Sequence, residues 1–411
     1  MSSFMSMSSS LITSKGSLPS YGYGMATKVR SNHHLQRHNQ QRRCITCDAS
    51  SSSSSGILYG QGPSSAQGGK GVPDLGYALE EASTSFTTNG AKVGSFPPPY
   101  GVCLRQGVRE DMEDACSVVP KARCGYFFAS VFDGHGGAAA GAILSRSLYA
   151  AFSQAIDADP RRVVSPVSRE LAESESAAVS CPVHLTPPLT LAYQQADTEL
   201  ISQLAQLPDP ECYSGSTATS VLVRNDRIVC ANVGDSRAVV CRGGKAFDLS
   251  KEHRVYGNGQ LAKEETTRIA QAGGWVAQGR VCGILAVSRA FGDWEFKEGR
   301  FQLKIDLMAD GDRQAREASM DLPVVVPTPD VVEVERMGTE DLLIVASDGL
   351  WDVVSSQDAC REALNILTKA GTTESAAGEA AQALVNLALK KRTQDNVACL
   401  VVDLRQNDKT K

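Results

Sequence analysis

The sequence has no stretch that approaches the ~20 apolar residues a membrane-spanning helix needs. Its most apolar runs, LLIVAS and VACLVV, are short. Runs of this length are typical of buried strands. The chain is therefore not expected to contain a transmembrane segment, and any contact with a membrane should be peripheral.

Paired cysteines are also scarce. Of the 12 cysteines, only Cys44 and Cys47 have the C-x-x-C spacing of a zinc or redox site. The others are scattered singly, and a free cysteine is commonly a core residue. We expect buried free thiols in the body of the chain rather than a zinc centre.

A basic stripe is missing as well. The formal net charge is -5 at pH 7, whereas proteins that bind a phosphate backbone usually carry clustered Lys and Arg. Nucleic acid is thus not expected as a partner. Hydrophobic residues make up 42% of the chain and charged residues 21%, proportions that are sufficient for a packed core.

Acidic residues are absent before Asp48, and the segment 1–47 is rich in Ser. It carries six cations: Lys15, Lys28, Arg30, Arg37, Arg42 and Arg43. This composition is typical of an organelle transit peptide, and the uncharged opening MSSFMSMSSS favours a chloroplast over a mitochondrion. The sequence CITCD resembles a stromal processing site, with cleavage after Cys47. The alternative is a disordered tail without a targeting role.

The remaining chain divides by composition. Residues 48–93 are rich in Ser and Gly, which predicts a flexible linker. Residues 94–405 contain no further linker and are expected to form one domain. A polar tail, 406–411, follows.

Within 94–405, strand and helix patterns alternate. GYFFASVFDG is an apolar run that ends at Asp-Gly, as a buried strand would. AAAGAILSRSLYAAFSQAI and LTLAYQQADTELISQLAQL have helical spacing. The stretch from TATSVLV to KAFDLS predicts three or four strands joined by short turns. Because consecutive hairpins are incompatible with a simple parallel sheet, we expect an α+β fold with antiparallel sheets flanked by helices.

Carboxylates recur where the apolar strands begin or end. Asp133 follows FFASVF, Asp235 follows IVCANVG, Asp348 follows LLIVAS and Asp395 precedes NVACLVV. Strand ends lie at the rim of a sheet, so these side chains could converge, and converging carboxylates need a compensating cation. Oxygen ligands select Mg or Mn over zinc. The alternative for any one Asp-Gly pair is a β-turn.

These residues lie in motifs that resemble those of the type 2C, metal-dependent Ser/Thr protein phosphatases. The resemblance spans about residues 98 to 404. The motifs, in order, are REDMED (109–114), VFDGHGG (131–137), SGSTA (214–218), VGDSRA (233–238), GILAVSRAFGD (283–293), ASDGLWDV (346–353) and QDNV (394–397). Membership implies two packed antiparallel β-sheets flanked by helices on both faces.

The resemblance also implies two Mg²⁺ or Mn²⁺ ions per subunit. Asp133 would bridge both ions, and the Gly134 carbonyl would add a ligand to one of them. Asp348 and Asp395 would complete the coordination of the other ion.

Four further acids match family positions around these ions. Glu113 and Asp114 would hold water molecules bound to the metals. Asp235 and Asp352 match acids associated with a third, weaker metal site.

Two residues match the family's catalytic positions. Arg109 would grip the substrate phosphate, because a planar guanidinium suits two phosphate oxygens. His135 would act as the general acid for the leaving alkoxide; the alternative for a lone His beside Asp-Gly is a structural role. The implied reaction is dephosphorylation of phosphoserine and phosphothreonine in proteins by a metal-activated water.

Within the family, EHRVYG and the stretch from AGGWVAQG to FGDWEFK look most like the thylakoid-associated phosphatases of plant chloroplasts. Those enzymes act on the phosphorylated light-harvesting antenna, which becomes a candidate partner here. The long segment 297–325 lies where these relatives have an extended flap. They carry a hydrophobic C-terminal anchor that this sequence lacks, so stable insertion into thylakoids is not expected.

Two expectations concern interactions. Some plant members of the family have an insert after AGG with a Trp that enters a hormone receptor. Here Trp275 follows Gly-Gly directly and the insert is absent. We therefore expect Trp275 to pack in the core or flap, and we do not expect docking to a hormone receptor. We expect a monomer.

The competing hypothesis for function is a catalytically silent family member that serves as a binding partner. Such proteins usually lose metal carboxylates, and Asp133, Asp348 and Asp395 are all present.

Overall fold

The computed structural model describes residues 96–160, 162–164, 180–370 and 375–405. The predicted transit peptide, the linker and the polar tail lie outside these residues. No helix in the described ranges is long and apolar enough to cross a membrane.

The described residues form strands and α-helices joined mostly by short turns. The strands are β1 (Tyr100–Arg105), β2 (Ala115–Val119), β3 (Phe127–Phe132), β4 (Gly134–His135), β5 (Arg162–Val164), β6 (Ser180–Pro182), β7 (Gly215–Ser216), β8 (Ala218–Val223), β9 (Arg227–Val233), β10 (Arg237–Arg242), β11 (Lys245–Asp248), β12 (Val276–Ala277), β13 (Arg280–Val281), β14 (Phe291–Gly292), β15 (Asp330–Glu335), β16 (Glu340–Ala346) and β17 (Val397–Asp403). The helices are α1 (Ala139–Ala158), α2 (Thr186–Leu204), α3 (Gln260–Gln271), α4 (Arg300–Ala309), α5 (Arg313–Glu317), α6 (Asp348–Trp351), α7 (Ser356–Ala370) and α8 (Ala376–Lys390).

Two five-stranded sheets dominate the fold. The first has the order β1-β17-β16-β10-β11 and the second the order β15-β9-β8-β3-β2. All neighbours in both sheets are antiparallel. The hairpin between β10 and β11 turns at Gly243 and Gly244, which both have positive φ, as a tight two-residue turn requires.

The two sheets pack face to face with helices outside them. Alternate apolar residues of both sheets meet in the middle, among them Phe127, Val221, Val240 and Leu400. Helices α1 and α2 cover the outer face of the second sheet, and α6, α7 and α8 cover the outer face of the first. The predicted fold class, two packed antiparallel sheets flanked by helices on both faces, is confirmed.

Helix α8 lies unusually close to the edge strand β1. A Cβ atom added to Gly101 would lie 2.2 Å from the backbone nitrogen of Gly378. Position 101 therefore has to be glycine, and the Ala-rich face of α8 continues this close contact along the strand.

Residues 252–330, here called the side module, have an apolar core of their own. It includes Ile269 of α3, Leu303 of α4 and Val324. Trp275 is buried in this cluster, which confirms its expected packing role. Helix α4 was not indicated by the sequence, and three of its apolar residues, Phe301, Ile305 and Met308, are exposed.

Candidate metal centre

Strand direction brings the acidic residues to one edge of the sandwich. β3 and β9 run parallel to one another, because both pair antiparallel with β8. Asp133 directly follows β3, and Asp235 follows β9, so both lie at the same edge of the second sheet. β16 ends beside the start of β10, where Ala346 pairs with Arg237, and this register places Asp348 next to the Asp235 turn.

Three carboxylates converge at this edge. One oxygen from each of Asp133, Asp235 and Asp348 lies within 4.8 Å of the other two. The backbone N–H of Asp348 also donates to Asp133 Oδ2 at 3.4 Å, which links the two sheets directly. The oxygen-only donor set suits Mg²⁺ or Mn²⁺ rather than zinc.

Hydrogen bonds fix the position of Asp133. Its backbone N–H donates to Thr217 Oγ1 at 3.1 Å, and its carbonyl accepts from the Thr217 N–H at 2.9 Å. Gly134 follows in β4 and pairs with Ser216 of β7. The short strand pair therefore holds Asp133 at the mouth of the sandwich.

The electrostatics of the cluster call for a cation. Burial, reinforced by the charges of Asp133 and Asp235, raises the pKa of Asp348 to about 10. Burial and neighbouring carboxylates likewise raise the pKa of Asp133 well above its usual range and raise that of Asp235. Ionised together, the three groups repel one another in a poorly solvated site. A bound divalent ion would relieve that repulsion, so these residues fit the metal that the sequence implies.

Glu113 and Asp114 lie beside the cluster, just before β2. Glu113 Oε1 accepts from the Gly137 N–H at 2.7 Å, and Asp114 Oδ2 accepts from Ser347 Oγ at 2.7 Å. Burial raises the pKa of both carboxyls, and that of Asp114 strongly. Both acids are thus held at the same edge as the predicted metal ligands.

Asp395 and Arg109 form a pair at the rim of the site. Asp395 precedes β17, whose first residue Val397 pairs with the last residue of β1. Arg109 Nη2 donates to Asp395 Oδ2 at 2.6 Å, and its Nε donates to the Gln394 carbonyl at 2.9 Å. The Arg109 side chain is 50% exposed, which leaves it accessible to a phosphate.

Arg254 of the side module reaches into the carboxylates, a role that the sequence did not indicate. Its Nε donates to Asp235 Oδ2 at 3.0 Å, Nη2 donates to Asp348 Oδ2 at 3.1 Å, and Nη1 donates to Asp352 Oδ1 at 3.0 Å. Although burial lowers the pKa of Arg254, these carboxylates raise it overall. A third ion at Asp235 and Asp352 would therefore have to share the site with a guanidinium or displace it. The signal available in the sequence was the position of Arg254 in EHRVYG, a segment already matched to the family.

His135 has a partner that the sequence reasoning also missed. Its Nε2 lies 2.8 Å from Asp293 Oδ2. Burial lowers the pKa of His135, but Asp293 outweighs that effect, and the pKa is raised. A Cβ atom on Gly215 would lie 2.4 Å from both Asp293 Oδ2 and His135 Nε2, so only glycine permits the pair. Asp293 closes the motif GILAVSRAFGD, which was its only sequence signal.

The structure thus places all ten predicted site residues along one edge, in three contact groups. Asp133, Asp235 and Asp348 form the carboxylate cluster, with Gly134, Glu113, Asp114 and Asp352 around it. Arg109 pairs with Asp395, and His135 pairs with Asp293.

Comparisons with known proteins identify the family of this chain. The family model "Protein phosphatase 2C" matches residues 99–397. The chain is 34% identical over 322 residues to Protein phosphatase 2C 57 of Arabidopsis thaliana, covering 77% of each protein. It is 33% identical over 358 residues to Probable protein phosphatase 2C 68 of Oryza sativa subsp. japonica, covering 81% of this chain and 86% of that protein.

Solved structures show the same fold. The serine-threonine phosphatase 2C from Toxoplasma gondii superposes with a TM-score of 0.55 at 20% identity, covering 78% of this chain and 99% of that chain. A sex determining protein of C. elegans gives a TM-score of 0.54, also at 20% identity, over 76% of this chain and 65% of that chain. At such identities the likeness is evidence for the shared fold alone.

Proposed function

Because this chain belongs to the protein phosphatase 2C family and is a serine/threonine phosphatase, we propose that the carboxylates at the common edge of its two sheets form the catalytic metal centre. The observation that carries this proposal is the convergence of Asp133, Asp235 and Asp348 within 4.8 Å. The substrates of the family are phosphoproteins, and dephosphorylation is metal-dependent.

We assign the metal ligands by position. Asp133, Asp348 and Asp395 would hold two Mg²⁺ or Mn²⁺ ions together with the Gly134 carbonyl, while Glu113 and Asp114 would orient water beside them. When bound, such ions make a water molecule a better nucleophile at neutral pH and offset negative charge on the transferring phosphoryl group.

Arg109 would bind the phosphate of the substrate. Its guanidinium is at the rim and half exposed, and Asp395 orients it from one side. A planar fork with several donors can hold two phosphate oxygens at once. This contact would hold the phosphoryl group at the edge that carries the carboxylate cluster.

His135 would donate a proton to the departing Ser or Thr oxygen. Asp293 holds the Nε2 side of the ring at 2.8 Å and raises the pKa of His135 against the effect of burial. A protonated imidazole also carries a proton on Nδ1. That atom remains to serve the leaving oxygen, as a general acid requires.

The test is turnover of a phosphothreonine peptide by the purified full chain in Mn²⁺ and in EDTA. We expect activity only with metal, and a loss of about a thousandfold or more in Asp133→Asn or Asp348→Asn, as removal of metal activation implies. Asp310→Asn, an exposed position at the end of α4, is the matched control and should keep full activity. Full activity of both cluster variants in excess Mn²⁺ would disprove the assignment.

We further propose that the protein acts in the chloroplast. The support is the Ser-rich segment before Asp48, which has six cations and no acid. A fusion of residues 1–60 to a fluorescent protein should enter chloroplasts, and the mature protein should begin after Cys47 by mass spectrometry. A diffuse cytosolic signal would refute this location.

The proposed substrates there are phosphorylated light-harvesting antenna proteins. The support is the resemblance of EHRVYG and of the stretch from AGGWVAQG to FGDWEFK to the thylakoid-associated enzymes. The long segment 297–325 also lies where those enzymes are extended. Phosphorylated thylakoid membranes incubated with the full chain and Mn²⁺ should lose phosphothreonine from antenna proteins faster than from other proteins in the same sample. Equal loss from all phosphoproteins would argue against this preference.

A further inference from the structure

A groove of about 650 Å³ opens beside Arg109. One wall is the chain after β1, residues 105–108, and the other is the C-terminal end of α8 with the turn that follows it. Gln106 of the first wall donates from Nε2 to the Arg109 carbonyl at 2.9 Å. Gln394 of the second wall accepts from Arg109 Nε at 2.9 Å. The groove is therefore continuous with the residue assigned to the phosphate.

The groove is positively charged. Arg105 and Arg392 both line it, and no Asp or Glu is among its lining residues. In the described part of the chain, neither guanidinium has a carboxylate within ion-pair distance, whereas Arg109 beside the groove pairs with Asp395. Two uncompensated cations in one concave surface favour an anionic ligand.

The backbone holds both arginines in place. Arg105 is the last residue of β1 and pairs with Val397. Arg392 has φ +63°, and the Gln394 amide donates to its carbonyl at 2.9 Å. Two apolar side chains, Val108 and Leu389, complete the walls. A preformed backbone lowers the ordering cost when a ligand binds.

We propose that this groove binds a second anionic group of the substrate, close in sequence to the phosphorylated residue that is cleaved. The group is either the carboxylate of Asp or Glu or a second phosphate, since both are anions that guanidinium groups recognise. An extended peptide advances about 3.3 Å per residue, so the second anion would lie within a few residues of the first. This inference rests on the proposed phosphatase function and adds to it a rule for substrate choice.

The experiment compares phosphothreonine peptides that differ at one flanking position, scanned over four residues on each side. The position carries Glu, Gln, Lys or phosphoserine, and kcat and KM are measured with the full chain in Mn²⁺ at low salt. We expect Glu or phosphoserine at one side to lower KM relative to Gln by about three- to tenfold, as one or two solvent-exposed ion pairs allow. A larger effect of Glu identifies an acidic side chain, and a larger effect of phosphoserine identifies a second phosphate.

The variants Arg105→Gln and Arg392→Gln should each remove most of that preference through KM, with little change in kcat. Arg392 is exposed, so its variant is expected to fold even where Arg105→Gln does not. Arg146→Gln, an exposed arginine on α1, is the matched control and should keep the preference. No preference in the wild type, or a preference that survives both groove variants, would overturn the proposal.

Two further readouts separate this proposal from the phosphatase assignment. p-Nitrophenyl phosphate has no flanking residues, so its turnover reports the metal centre alone and should be the same in the groove variants. Direct binding of the peptide set to the Asp133→Asn variant gives Kd ratios without turnover. Equal Kd values for the Glu, phosphoserine, Gln and Lys peptides would sink the groove assignment even if the enzyme is active.

Discussion

His135 and Asp293 are 158 positions apart, yet their side chains meet at 2.8 Å. Arg109 contacts Asp395, which is 286 positions away in the sequence. The two catalytic candidates are therefore held by different partners on different parts of the fold. Their separate placement implies separate contributions to the reaction, which leaving-group chemistry can distinguish.

His135→Gln should slow phosphothreonine peptides by about 100-fold or more, as loss of a general acid implies. It should barely affect p-nitrophenyl phosphate, because a phenolate leaves without a proton. Asp293→Asn should show the same pattern more weakly. Arg109→Ala should raise KM for both substrates, since phosphate binding is needed in each. The measurement is a rate profile across leaving-group pKa, and equal slowing of both substrates by His135→Gln would indicate a structural role.

Arg254 is the residue whose removal should change metal binding most directly. Its guanidinium contacts Asp235, Asp348 and Asp352 and is only 14% exposed. In Arg254→Met these carboxylates lose their internal cation, so we expect tighter metal binding at the hypothesised third site of Asp235 and Asp352, by about tenfold or more as loss of a close charge pair allows. Isothermal titration calorimetry with Mn²⁺ would measure the change in affinity. Elemental analysis after gel filtration would measure the number of bound ions.

The control for that experiment is Arg300→Met. Arg300 belongs to α4 of the side module, where it donates to the Met320 and Asp321 carbonyls and lies over the ring of Phe301. Its removal should leave the number of bound ions unchanged. Identical Mn²⁺ stoichiometry and affinity in wild type and Arg254→Met would show that the guanidinium does not compete with an ion.

At the scale of elements, buried ion pairs attach the side module to the sandwich. Lys297 donates to both oxygens of Asp197 on α2, at 2.7 and 2.6 Å. Asp197 also accepts from the Gly292 N–H at 2.8 Å, one residue before Asp293. The pair therefore positions the short segment that carries the partner of His135.

A second attachment centres on Glu265 of α3. It accepts from Arg289 Nη2 at 2.6 Å and from Ser288 Oγ at 2.6 Å, while Arg289 also donates to Asp330 of β15 at 3.1 Å. Burial alone would raise the pKa of Glu265, but the arginines and Ser288 outweigh it and lower the pKa to about 2. The ionised form is thus the one that the fold stabilises.

Glu265→Gln should destabilise the protein at pH 7 by about 3 kcal/mol, which is the size expected from a pKa about two units below that of an unfolded Glu. Because the folded pKa is depressed, this contribution is present above the unfolded pKa of ~4.3 and is lost as the pH falls towards about 2. The difference in free energy of unfolding between wild type and Glu265→Gln should therefore become smaller as the pH falls. Urea unfolding at several pH values between 7 and 3 measures this difference. The control is Glu264→Gln at the exposed neighbouring position, which should leave the free energy of unfolding nearly unchanged.

At the scale of the whole molecule, the proposed metal centre lies where the two sheets meet. Asp133 follows a strand of one sheet and Asp348 a strand of the other, and their ionised carboxylates repel. Divalent cations should therefore stabilise the sandwich as well as activate it. At a metal concentration 100 times Kd the gain is about 2.7 kcal/mol per ion, enough to raise Tm by several degrees.

Thermal unfolding in EDTA and in Mn²⁺ tests this coupling. Wild type should melt several degrees higher with Mn²⁺. In Asp348→Asn the Mn²⁺ effect should largely disappear, while Tm in EDTA should rise, because the folded protein without metal no longer has to keep a buried carboxyl of raised pKa protonated at neutral pH. An unchanged Tm in EDTA combined with a full Mn²⁺ effect would contradict the proposed compensation.

Much of this architecture could be predicted from local pattern. The helices α1, α2, α7 and α8 match segments with helical spacing, and β3, β8 to β11, β16 and β17 match apolar runs that end at turns. Asp133, Asp235 and Asp348 were expected to converge because each follows such a run. These features depend on residues near in sequence, so a periodic pattern reveals them. The same holds for the motifs that indicated the family.

Other features depended on long-range packing. β1 pairs with β17 at the opposite end of the domain, and its mixed sequence shows no alternation that would identify a strand. The Arg254 contacts with Asp348 and Asp352 span more than 90 positions, and the groove with Arg105 and Arg392 forms only where β1 meets the end of α8. Such contacts leave no periodic pattern in the sequence, because they form only when strand register and sheet packing bring distant segments together. The sequence by itself therefore identified most of the residues that form the site. Which of these residues contact one another was decided by the tertiary structure.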